Sequence, residues 1–226
     1  MTRRTNARVA GFSFLLYIAL GIPSMILMGR STRGAGIADK VASVAQHASD
    51  VHLTAVLVLF SGFCALALGV TLYALTREQD PDLAMLGLTF RVGEGVIGGL
   101  SVQRSLSLLW LANAAGANVP SGESANALGA YLLQSPGGGI AAIFFAFGST
   151  CFSWLLLRGR MIPLWMAWLG VFASVLMVVA LPLQLADVLP GSVIQLTWIP
   201  MAAFEVPLAV WLLVKGAAAP APRPAA

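Results

Sequence analysis

Hydrophobic positions along the chain gather into six runs, at 9–28, 52–75, 83–111, 137–157, 164–186 and 193–214, with short polar stretches between them. A helix needs about 20 apolar residues to cross the hydrocarbon core of a bilayer, and each run meets that length. The stretch at 29–50 has another rhythm. Ile37, Val41, Val44, Ala48 and Val51 fall on one helical face, and Asp39, Lys40, Ser43, His47 and Asp50 fall on the others. That pattern predicts a short amphipathic helix on the membrane surface. The fold class predicted is therefore all-α: a polytopic membrane protein of six transmembrane helices, with an amphipathic surface helix between spans one and two. One transmembrane domain covers 1–216, and the Ala/Pro stretch at 217–226 predicts a disordered tail.

The connectors support this division. At 76–82 Asp80 precedes Pro81, a dipeptide that ends helices and starts turns. Arg158, Arg160 and Pro163 mark a second tight turn, and 187–192 a third. The segment 112–136 is rich in Asn, Gly, Ser and Pro without a basic residue, and its apolar part, 128–133, is expected to dip into the interface. The first run exceeds the roughly 7–15 apolar residues of a signal peptide, so it reads as a retained span.

Composition narrows the class. Hydrophobic residues make up 58% of the chain and charged residues 10%, whereas a soluble domain carries about 25% charged residues. The formal charge of +4 does not point to nucleic acid, because the basic residues sit between apolar runs instead of forming a stripe. Their distribution reads as topology. Arg3, Arg4, Arg8, Arg77, Arg158, Arg160, Lys215 and Arg223 fall on the side of the termini, and Arg30, Arg33 and Lys40 on the other. The positive-inside rule then places both termini in the cytoplasm. Basic residues are mostly Arg, and Ala and Gly are abundant, which suggests a bacterial inner membrane.

Charges inside the spans carry the candidate chemistry. Arg91, Glu94 and Arg104 lie in the third span and Glu205 in the sixth. A charge at mid-membrane costs roughly 2.5–3.5 kcal/mol on insertion scales and faces the bundle interior, where it finds partners. Arg91, Glu94, Gly95, Gly98, Ser101 and Ser105 recur at three- and four-residue steps, predicting one small, polar, inward face. At about 1.5 Å of rise per residue, Arg91 and Glu94 stand roughly 12 and 16 Å above residue 83, and Glu205 roughly 14 Å above residue 214. The three share a level, which predicts a cluster joining the third and sixth spans with a summed charge of −1. Arg104, roughly 32 Å up, is placed at the outer interface. Pro200 and Pro207 bracket Glu205 and remove the helical donors for the carbonyls of Leu196 and Ala203, so the sixth span is expected either to kink or to break beside the cluster.

Other chemistries have little to stand on. His47, Asp50 and His52 lack the i,i+4 histidine pair of a helical metal site, so no metal is expected. Cys64 and Cys151 sit within apolar runs and read as small buried hydrophobes. A Gly-x-Ser-x-Gly elbow, a dinucleotide fingerprint and a phosphate loop are all missing from the sequence, and no cofactor is expected.

Phe90-Arg91-Val92-Gly93-Glu94, the turn Arg160-Met161-Ile162-Pro163, and Phe204-Glu205 followed by Trp211-Leu212-Leu213-Val214-Lys215-Gly216 resemble the bacterial membrane family called domain of unknown function 4386. The resemblance covers nearly the whole chain. It implies a six-span protein of unassigned activity with Arg91, Glu94 and Glu205 on motif positions. It also implies an acid in the second span, where this chain has Ser61 and Cys64.

Three function classes follow. The first is binding or transport of a small solute, a proton or a lipid-like ligand at a buried Arg/Glu centre. The second is a membrane-embedded enzyme acting on a lipid or prenyl substrate, with Glu94 or Glu205 as acid or base. The third is a structural or accessory subunit in which the charges clamp helices. Sparse acid–base groups weigh against the enzyme. The expected partners are the lipid bilayer, a small-molecule or lipid ligand and, because six spans are few for a transporter, a second copy of the chain in a homodimer.

Overall fold

A computed structural model describes residues 1–114, 122–134 and 137–220. It contains α1 (Arg3–Ser31), α2 (Ile37–Gln46), α3 (Ala48–Thr76), α4 (Pro81–Asn113), α5 (Gly122–Gln134), α6 (Gly137–Arg158), α7 (Leu164–Leu185) and α8 (Gly191–Val214), with no strand among the described residues. Six of these, α1, α3, α4, α6, α7 and α8, are long and apolar enough to cross a membrane. Local chemistry sets their starts. The Thr2 side chain accepts from the Thr5 amide at 3.2 Å, and Asp80 caps α4 by accepting from the Leu83 amide at 3.1 Å with Pro81 as the first helical residue. Both are standard ways of satisfying the open donors of a helix start.

The spans form a closed ring. Each packs on its neighbour in sequence, α1 on α3, α3 on α4, α4 on α6, α6 on α7 and α7 on α8, and α8 returns to α1. Short connectors make α3 and α4, α6 and α7, and α7 and α8 antiparallel neighbours, while the longer links that carry α2 and α5 join α1 to α3 and α4 to α6. Contact between α3 and α6 across the ring pinches its middle. Around that pinch lies the apolar core, including Leu68, Phe145, Phe152, Leu155, Met201 and Leu208. Large apolar residues on the outer faces, such as Phe63, Trp168, Phe172 and Ile199, stay exposed, as lipid-facing positions do.

The two ends of the ring differ. At the end holding both termini, Arg3 pairs with Glu78 at 3.6 Å and Arg158 with Asp80 at 3.4 Å. The Ala218 amide donates to the Met161 carbonyl at 2.9 Å, which ties the chain beyond α8 to the α6–α7 turn. At the other end α2 and α5 lie against α4 and each other. The apolar face expected for α2 is present, but it meets protein: Val44 and Val51 are fully buried with Leu108 and Leu109, and Leu132 and Leu133 of α5 close over them. The segment expected as a loop thus contains a helix, while its residues 115–121 and 135–136 lie outside the described residues, as do 221–226 of the expected tail.

Candidate functional site

Arg91 projects from α4 through the pinch between α3 and α6. Glycines make the passage. A methyl group at Gly69 of α3 would come within 3.0 Å of Arg91 Cβ, and one at Gly148 of α6 within 3.1 Å of Arg91 Cδ. Gly87, one turn earlier on α4, lets Phe152 and Cys151 approach in the same way. The guanidinium emerges over two rings, with its carbon 5.7 Å from the centroid of Tyr17 and 5.1 Å from that of Phe145. Such stacking favours a cation removed from water. The ring series extends to α8, where Trp198 stacks on Phe145 at 5.7 Å.

Glu94 follows one turn after Arg91, and its Oε2 lies 2.9 Å from Arg91 Nη1. The contact is at ion-pair distance but poorly aligned for a hydrogen bond: none of the three guanidinium nitrogens donates to an acceptor among the described residues, although the side chain is 1% exposed. Glu94 Oε1 instead accepts from the Tyr17 hydroxyl at 2.8 Å. Glu205 of α8 is also buried. It makes no hydrogen bond, and no ion pair within 4.0 Å, with any described residue, yet it lies within electrostatic range of Arg91 and Glu94. Beside Arg91 is a cavity of about 10 Å³ lined by Phe14, Leu72, Ser149, Phe152, Ser153 and Phe204 among others.

The structure thus buries Arg91, Glu94 and Glu205 within electrostatic range of one another, by a route the sequence did not suggest. α4 and α8 are not neighbours in the ring. Their charges approach across the interior, with Tyr17 of α1 and Phe145 of α6 between the helices. In place of a broken helix beside the charges, α8 runs without interruption from Gly191 to Val214 with Pro200 and Pro207 inside it. Each proline removes one hydrogen bond, and packing of the flanking turns on α1 and α7 holds the rest of the helix together. Residues missed from the sequence are Tyr17, Phe145, Ser149 and Ser153. The signal for Tyr17 was a phenol in mid-span, which seeks a polar partner when buried; Phe145 gave none.

His47 forms the junction of α2 and α3, with its Nδ1 2.9 Å from the Ser43 carbonyl oxygen. Cys64 and Cys151 are buried free thiols.

The sequence model of the family described as "Domain of unknown function (DUF4386)" matches residues 9–216, a stretch that takes in the ring and every residue of the buried charge group. The chain belongs to this family. No curated protein and no solved structure matches it. For this DUF4386 member, membership and six candidate spans establish an integral, multi-pass membrane protein; what it does must be argued from the group around Arg91.

Proposed function

We propose that this DUF4386 protein is a membrane-embedded binding or transport protein whose central group, Arg91, Glu94 and Glu205, holds and exchanges a proton. The observation that supports this reading is the unfinished bonding at the centre. A guanidinium that only clamped helices would be expected to close its hydrogen bonds, since a half-satisfied buried network is worse than an apolar one. Arg91 instead leaves its donors without acceptors among the described residues while a second carboxyl stands nearby without a hydrogen bond. Two carboxylates facing one guanidinium sum to −1, and one proton brings the group to neutrality. Buried intramembrane acids serve in this way in pumps and transporters. Tyr17 and the ion contact hold Glu94, so Glu205 is the acid left to load and release the proton.

Cavity size favours a proton over a solute. A volume of about 10 Å³ is close to the roughly 10–15 Å³ that one water needs, and Ser149, Ser153 and Arg91 supply polar neighbours. A larger ligand would require the ring to open.

We place the termini in the cytoplasm of a bacterial cell, because Arg3, Arg4, Arg77, Arg158, Arg160 and Lys215 all gather at the end of the ring where the chain begins.

The test is pH-difference infrared spectroscopy on the chain in nanodiscs, with proton flux followed in proteoliposomes. A carboxyl band that appears and disappears with pH, and is lost together with flux in Glu205→Gln, is expected. An unchanged band and unchanged flux in that variant would remove the proposal.

A further inference from the structure

The charge group is closed differently on its two sides. Counted at about 1.5 Å per residue from the helix ends on the side of the termini, Arg91 stands roughly 15 Å and Glu205 roughly 14 Å deep. Farther in, at roughly 20–24 Å on the same count, the rings of Tyr17, Phe145 and Trp198 lie face to face in series, with centroids 6.4 and 5.7 Å apart. Phe145, buried in the middle of the series, offers no atom that can carry a proton.

Toward the termini the group meets polar side chains instead. The cavity of about 10 Å³ that Arg91 lines is bounded by Ser149, Phe152, Ser153 and Leu156 of α6 and by Leu72 of α3, which lie between about 3 and 14 Å from that side. Ser149 and Ser153 are one turn apart on one face of α6. Hydroxyls within helices often bond back to the carbonyl of the preceding turn, and Thr71, Thr150 and Ser174 do so at 2.7–2.8 Å. Those of Ser149 and Ser153 make no hydrogen bond with any described residue, although Ser153 is 1% exposed. Two hydroxyls thus stand open beside a guanidinium that is open as well. Beyond Leu156 the cover is Met161, whose amide donates to the Leu156 carbonyl at 3.0 Å and whose carbonyl accepts from the Ala218 amide at 2.9 Å. A flexible methionine and a strap of chain yield more readily than a series of rings.

Resting on the reading of the charge group as a proton site, we infer that its proton enters and leaves on the side of the termini, by way of Ser153, Ser149 and a water in the cavity beside Arg91. Each hydroxyl takes a proton on its oxygen as it passes its own onward, so neither is consumed, and the proton ends on the Glu205 carboxylate. The titratable groups that face it are Arg91 and Glu94 of α4, Glu205 of α8 and Tyr17 of α1, with the Cys151 thiol of α6 held against Gly87. α3 meets Arg91 with Gly69, and α7 has no charged residue.

The experiment uses the full chain in sealed vesicles, sorted by a C-terminal tag into those with termini outward and those with termini inward. The carboxyl infrared band is followed after a pH jump in the outer medium. The native band should respond at once with termini outward, and only after the lumen equilibrates with termini inward. Ser153→Val and Ser153→Thr share a shape and differ by the hydroxyl. The valine variant should slow the response about a hundred-fold, the lower end of what a positioned proton-transfer group contributes, while the threonine variant keeps it and both retain the native equilibrium titration. A band without pH dependence at equilibrium would remove the proton reading and this route with it. A band that titrates at equilibrium but responds equally from both sides, or first from the side away from the termini, would overturn the route alone, as would equal rates in folded Ser153→Val and Ser153→Thr. Sidedness is read on the native chain, so the test does not depend on a variant folding.

Discussion

The two halves of α4 use the same residue types in opposite ways. In the half nearer the termini, Gly87, Gly93 and Gly95 lie against other atoms: a methyl at Gly93 would run into the Phe144 ring, and one at Gly95 would come within 3.2 Å of the Gly62 carbonyl oxygen. Past Val96, Gly98 and Gly99 face open space. Arg91 in the first half is fully buried, whereas Arg104 in the second lines a groove. A glycine in a spanning helix can bring a neighbour close or keep a channel clear. Which it does depends on the helix opposite, and composition cannot reveal that.

Replacing each arginine tests this contrast most strongly. Arg91→Leu leaves Glu94 and Glu205 buried without their counter-charge, and removing one partner of a buried pair costs about 3–5 kcal/mol. Arg104→Gln, at a half-buried position, should cost less, about 1 kcal/mol or below, as loss of a partly solvated charge usually does. Unfolding midpoints in detergent measure both. A double variant, Arg91→Leu with Glu94→Leu, should recover much of the loss, since apolar replacement of a whole buried pair is often neutral. Equal midpoints for the two arginine variants would erase the distinction between the halves.

Tyr17→Phe comes next in size. It removes the hydroxyl that donates to Glu94 at 2.8 Å, and hydrogen bonds to charged groups contribute about 1.5–3 kcal/mol. The same change at Tyr131, which is exposed, should have no measurable effect on the midpoint. Gly148→Val follows, at about 1–3 kcal/mol from overpacking, because its Cβ would already press on Arg91 Cδ and on the Gly87 carbonyl oxygen within 3.3 Å.

Much of this architecture was legible in the sequence because its signals are long. Six apolar runs survive any choice of window, and a capped start such as Asp80-Pro81 marks a boundary by itself. The inward face of α4 was legible only in part. Arg91, Glu94 and Ser105 are buried, but Gly98 and Ser101 on the same predicted stripe are not, because the neighbours of α4 change along its length and a periodic pattern carries no record of them. Tyr17 and Phe145 could not be assigned for the same reason: their roles arise from helices that meet only once the ring closes. The prolines of α8 left a kink and a break both open, because the sequence records a lost hydrogen bond but not the packing that keeps the helix continuous from Gly191 to Val214.

The finest test substitutes alanine at two glycines one turn apart. In a helix interior alanine is favoured over glycine by about 0.5–1 kcal/mol. At Gly98 nothing opposes that gain, so Gly98→Ala should raise the unfolding midpoint slightly. At Gly95 the added methyl would stand 3.2 Å from the Gly62 carbonyl oxygen and 3.4 Å from Leu66. Backbone cannot yield as a side-chain tip can, so α3 and α4 must separate and Gly95→Ala should lower the midpoint. Opposite signs from one chemical change, three residues apart, would place the transition from packed interface to open channel between them. Two shifts of the same sign would mean that the helices hold one uniform spacing along α4.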